Sequence, residues 1–208
     1  NKELQAFYKE VADAASPEMQ AWDVGYYSEK LRKARFDFDE EQLRPYFAFD
    51  NVVQGFFDLA NRLYGITIIP SDKIKPWKGD GVNTFKVLDE DGTHLGLFYT
   101  DFFPRKEKQD GAWMNFLYIG GPKEDGFQPH LALVCGNLAP PIGDTPSLLS
   151  PDEVRTIFHE SGHLLHQILS TAELRSQSGS QVAWDFVELP SQIMENWVDQ
   201  REFIKGLS

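Results

Sequence analysis

The run SPDEVRTIFHESGHLLHQIL, residues 150–169, leaves its backbone little choice. Ser150 offers a side-chain oxygen to the free N–H groups of a helix start. Pro151 takes the first helical position, where a missing N–H costs nothing, and Glu153 can reach back to the cap N–H. Together they predict a helix opening at residue 151. Val154, Ile157, Phe158, Leu165, Ile168 and Leu169 recur at helical spacing and predict one buried stripe. His159 and His163, four positions apart, leave a different face about one turn from each other.

Two imidazoles so placed can reach one cation. Nitrogen donors suit zinc, and a catalytic zinc takes three protein ligands and leaves its fourth position open. Glu160 stands beside that face, in the general-base position of the H-E-x-x-H metallopeptidases. His166 returns to nearly the same face, but a continuous helix carries it about 10 Å along the axis from His159, too far for one zinc with ligands at about 2 Å. It reads as a packed or solvent-facing neighbour of the site. The better third donor is Glu188, in AWDFVELPSQIMENW, a segment that predicts a second amphipathic helix through Val187, Ile193, Met194, Trp197 and Val198, its start blurred by Pro190. Asp185, Gln192 and Glu195 either orient a ligand imidazole from behind or are a cap and two ordinary helix polars. The competing reading is a non-catalytic zinc-binding module, although a purely structural zinc needs no base and closes its fourth position with another ligand.

The rest of the chain frames that helix. Helices are predicted over residues 3–14 and 26–36 and again after Asp50, read as the cap of NVVQGFFDLANRLYG, where Val52, Val53, Phe56, Phe57, Ala60 and Leu63 recur before Gly65 ends the run. FKVLDEDGTHLGLFYTDFF reads as two strands about an acidic turn, and HLALVC at 130–135 as a third strand, expected at a sheet edge beside the site where a peptide backbone could add. RKEKQDGAW and GGPKEDGFQP read as loops. The expected organisation is a helical segment over 1–65, a small sheet with loops over 66–149, and zinc-binding helices over 150–208. The fold class is α+β, mostly helical with a small antiparallel-rich sheet.

With 208 residues, 41% of them hydrophobic, and a net charge of -12 spread along the chain, nucleic acid and anionic membrane are excluded as partners, since both select basic surface. No apolar run is long enough to span a bilayer. The single cysteine, Cys135, rules out a disulfide framework, and its apolar neighbours Leu131, Leu133 and Val134 predict a buried thiol rather than a metal ligand.

At DEVRTIFHESGHLLH and VAWDFVELPSQIMENW, supported by EEQLRPYF, NRLYGIT, GAWMN and LVCGNLAPP, the chain resembles the thimet oligopeptidase / oligopeptidase A / dipeptidyl carboxypeptidase family of zinc metallopeptidases. The likeness runs through nearly all of its length, and Glu188 follows His159 by 29 positions, the family's separation. It implies a zincin-like fold, one Zn2+ per chain held by His159, His163 and Glu188, Glu160 as base, short peptides as substrates and a cytoplasmic setting. Ser161 stands where the family commonly has an aromatic residue. Family members are several hundred residues long and carry tyrosine and histidine donors in a later region. The expectation is therefore a partial catalytic domain that binds metal, cleaves peptides poorly alone, and self-associates or pairs with a complementing chain through surfaces exposed by truncation.

Overall fold

A computed structural model of the chain describes residues 2–12, 18–36, 40–77 and 81–207. Two units divide them, Asn1–Gln42 and Leu43–Ser208. The first holds α1 (Lys2–Val11), a 3-10 turn at Ala21–Asp23 and α2 (Val24–Phe36). Its buried side chains include Leu4 and Tyr8, and Tyr8 meets Tyr27 edge-on at 4.6 Å. α1 ends earlier than its predicted limit of residue 14, and positions 13 and 14 lie outside the described residues.

The second unit opens with a 3-10 stretch, Glu40–Tyr46, that begins just before the boundary and runs into α3 (Phe49–Tyr64). Asp50 is not its cap. Ala48 bridges Leu148 and the Phe49 N–H bonds to the Ser147 carbonyl, so the backbone stays extended to Ala48 and turns helical one residue later. Asp50 falls instead in the first turn, where its charge suits the helix dipole. Val52, Phe56, Leu59 and Ala60 are the buried face of α3, with Leu63 exposed, and Gly65 closes the helix at φ +72.

β1 (Thr67–Pro70), β2 (Val82–Leu88), β3 (His94–Asp101), β4 (Trp113–Tyr118) and β7 (His130–Cys135) form a five-stranded sheet in the order β1-β2-β3-β7-β4, with β5 (Gly121–Lys123) and β6 (Gly126–Gln128) as a separate hairpin. All pairings are antiparallel except β3 with β7. The expected edge position of 130–135 is overturned: β7 lies between β3 and β4, and β4 is the edge. The reason is a crossover, since the chain leaves β3, builds β4 two places away and returns through the hairpin to fill the gap. Its near-continuous apolar run, HLALVC, suits an interior strand. The two stretches read as loops accordingly contribute Trp113 to β4 and the β5–β6 pair.

α4 (Pro151–Ile168) packs against β7 and β4 and beside α3. Both halves of the Ser150–Glu153 capping box form, and the glutamate also takes a 2.7 Å ion pair from Arg44. Phe158 meets Phe56 at 5.7 Å, while Phe57 meets Phe85 at 5.0 Å, so α3 wedges its aromatics between sheet and helix. α4 is enclosed on more than its apolar stripe: Glu160, Ser161, Gly162 and Gln167 are buried too. The predicted final helix is broken into α5 (Leu189–Glu195), a 3-10 turn (Asn196–Asp199) and α6 (Arg201–Ile204), with Gln200 extended between the last two. Cys135 is buried at the end of β7, as its neighbours predicted. No helix among the described residues is long and apolar enough to cross a membrane.

Candidate metal centre

The capped start of α4 fixes the phase of the helix, and that phase turns His159 and His163 to one side with ring centroids 4.9 Å apart. Glu188 comes from the residue that caps α5, its backbone already in the right-handed helical region. What lets it arrive is Gly162. A Cβ built there would stand 2.6 Å from the Ser191 Cα and 2.9 Å from the Pro190 carbonyl, so only glycine allows α5 to cross α4 at this depth. Once α5 is seated, the Ser191 hydroxyl lies 3.0 Å from Glu188 Oε2 and 2.8 Å from its backbone carbonyl, restraining the carboxylate.

The resulting geometry brings a ligand atom from each of His159, His163 and Glu188 within 4.8 Å of one another. Glu188 Oε2 lies 3.2 Å from His159 Nε2 and 3.1 Å from His163 Nε2. Donors about 2.0–2.1 Å from a tetrahedral zinc stand about 3.3 Å apart, so these spacings fit that ion. A second observation agrees. His159 Nδ1 is 2.6 Å from Glu195 Oε1. The other ring nitrogen, Nε2, faces the Glu188 carboxylate oxygen at 3.2 Å, so the two carboxylates hold the ring with Nε2 turned to the other two donors.

Glu160 lies one residue on, 8% exposed. Burial pushes its carboxyl above the usual range, and the Glu188 charge adds to this. The His159 imidazole and a hydrogen bond from the Met114 backbone N–H oppose the rise. Burial also pushes His163 down, against the Glu188 charge, which favours the neutral imidazole that binds a metal. An open cleft of about 350 Å3 runs past these groups, lined by Ala112, Arg155, Thr156, His159, Glu160 and Glu195.

Of the three residues considered as supports from behind, Glu195 touches a donor imidazole; Asp185 and Gln192 are exposed, and no side-chain contact with the centre is found for either among the described residues. His166 is not part of the group. It lines a separate cavity of about 450 Å3 with Leu165, Leu169 and Ile193, its ring 6.3 Å from Phe186. Sequence reasoning missed Gly162 and Ser191. The glycine sat in the motif as an unspecified position, although a glycine inside a helix, about 1 kcal/mol worse than alanine, is itself a signal of close packing.

The whole chain, residues 1–208, matches the model of Peptidase family M3. It is 41% identical over 208 residues to oligopeptidase A of Escherichia coli strain K12, covering 99% of this chain and 30% of that protein. Probable cytosolic oligopeptidase A of Arabidopsis thaliana is 37% identical over 214 residues, covering 100% and 30%. Dipeptidyl carboxypeptidase of Salmonella typhimurium is 42% identical over 181 residues, covering 86% and 26%. The chain thus spans about 30% of the length of the oligopeptidases A it matches. With a match that runs from its first residue to its last, this chain belongs to peptidase family M3.

Proposed function

We propose that the chain is part of the catalytic domain of a zinc metallopeptidase acting on short peptides, with His159, His163 and Glu188 holding one Zn2+ and Glu160 as general base. The observation that carries this is the convergence of three donor atoms within 4.8 Å from two separate elements, with a buried carboxylate beside them. Zinc bound there would supply Lewis-acid chemistry, polarising a scissile carbonyl and making water more acidic. Glu160 takes the proton of the attacking water and passes it to the departing amine, a task helped by a carboxyl whose proton affinity burial has raised. Glu195 keeps the His159 ring turned so that Nε2 faces the cleft. The edge strand β4 packs on α4 and offers backbone groups that an extended peptide can pair with, a role for which 130–135, inside the sheet, has no free edge. The zincin-like assignment of the fold rests on the same combination of sheet edge, motif helix and second helix. The names of the oligopeptidases and dipeptidyl carboxypeptidase similar to it support short peptides as the substrate class.

Only three donors converge among the described residues, which favours an open catalytic position over a closed structural zinc. The test is Glu160→Gln in the natural full-length protein, read by zinc content and by cleavage of a quenched fluorescent peptide. Zinc at one ion per chain with cleavage reduced at least about 100-fold is expected of a lost general base. Loss of the metal would make Glu160 a ligand, and retained turnover would remove it as base.

A further inference from the structure

The loop over residues 102–112, which joins β3 to β4, is held by a buried charge. The Lys108 side chain is 3% exposed, and an enclosed ammonium is tolerated only where oxygens replace its water. Four do so: Asp101 Oδ1 at 3.0 Å and the carbonyls of Asp101, Phe103 and Gly136 at 2.7, 3.0 and 2.5 Å. Arg105 adds two bonds to the same Asp101 carboxylate. Just before Lys108, Glu107 has φ +71, a conformation that a non-glycine residue keeps only when its surroundings impose it.

Asn137 secures the far end of the loop. It stands two residues past the end of β7, and its Nδ2 donates to the carbonyls of Gln109 and Gly111, each at 2.8 Å. Both amide hydrogens are thereby used. The next residue, Ala112, lines the cleft with His159 and Glu160, and Asp110, Gly111 and Ala112 line a neighbouring cavity of about 250 Å3 together with Asn137 and Glu160. The loop therefore leads into the start of β4, the strand that packs on α4, and its last residues border the Glu160 side chain.

We propose that Asn137, with Lys108 behind it, is a positioning residue: the two clamp the loop to the end of β7 and so set the first residues of β4 against α4. The consequence for catalysis rests on Glu160 being the base, whereas the clamp itself can be judged without any reaction. Asn137→Asp is the sharpest perturbation, because it keeps the shape and presents acceptor oxygens to two carbonyls. Gln109→Ala is its control, since the bond from Asn137 reaches the Gln109 backbone and not its side chain.

The experiment measures amide hydrogen exchange over 112–118 in the natural full-length, zinc-loaded protein, together with zinc content and kcat and KM on a quenched peptide. In Asn137→Asp, exchange over 112–118 rises about tenfold. At unchanged zinc content, kcat/KM falls about 10- to 100-fold, the scale of a displacement near 1 Å in a catalytic constellation. Gln109→Ala matches wild type in both. Asn137→Ala, which removes the donors without adding repulsion, gives a smaller change in the same direction and serves where the aspartate variant does not fold. Unchanged exchange in both Asn137 variants overturns the proposal, as does raised exchange with wild-type kcat/KM in an active enzyme. A wild type that cleaves nothing would sink the proposed function while leaving the exchange measurement to decide the clamp.

Discussion

Glu195→Gln should weaken zinc binding about tenfold while leaving the fold intact. In the protein, Glu195 Oε1 lies 2.6 Å from His159 Nδ1, with the two side chains 23% and 26% exposed, so water can replace only part of the contact. A hydrogen bond to a charged group contributes about 1.5–3 kcal/mol and a neutral one about 1 kcal/mol. Glutamine keeps an oxygen that can accept from Nδ1–H, so the loss is the difference, about 1–1.5 kcal/mol, or roughly tenfold in Kd. Glu195→Ala also releases the orientation of the ring and should approach 100-fold, the upper end for partners that stand behind a metal ligand. Arg155 tests how far the effect extends. It stands 4.0 Å from Glu195 but makes its close pair, at 2.8 Å, with Asp199, and it is 39% exposed, so Arg155→Ala should change Kd less than about threefold. The assay is competition with a fluorescent chelator at neutral pH, with far-ultraviolet circular dichroism as a check on folding. A Kd within twofold of wild type for both Glu195 variants would refute the claim that this carboxylate orients His159.

Two further outcomes follow from the packing. Gly162→Ala gains about 1 kcal/mol of helix propensity, yet its methyl must displace the α5 backbone at 2.6 Å, an overpacking that costs about 1–3 kcal/mol and carries Glu188 with it. Chemical denaturation should show a net loss and zinc titration a weaker Kd; a more stable variant with wild-type zinc affinity would show that α5 is free to move. Cys135 has its thiol pushed up to about 11, chiefly by burial and then by the Asp101 charge, so it stays protonated at pH 8 and only gains thiolate as pH rises toward that value. Alkylation by iodoacetamide at pH 8 should be far slower than after denaturation, and rapid labelling of the native protein would contradict the burial.

The sequence alone dictates the motif helix and its phase. Ser150, Pro151 and Glu153 act within one turn, and the spacing of His159 and His163 is a property of any α-helix, so nothing distant was needed to read them. It determined the β2–β3 hairpin and the glycine end of α3 for the same reason: turn and cap preferences are local. Whatever depends on which surfaces meet was left to long-range packing. The place of β7 inside the sheet follows from a crossover between β4 and β3 that no local pattern encodes, and the burial of Glu160 and Gln167 from α4 being covered on several sides. The choice of Glu195 over Asp185 and Gln192 required knowing the angle at which α5 crosses α4, which Gly162 permits through contacts with Pro190 and Ser191 some thirty residues away. Asn137 and Lys108 are farther still from legibility, because a carboxamide in a loop and a lysine in a charged run gain meaning only from the carbonyls that the fold brings to them. Local steric rules can be read from adjacent residues, whereas close approach between elements is a sum over the whole packed unit.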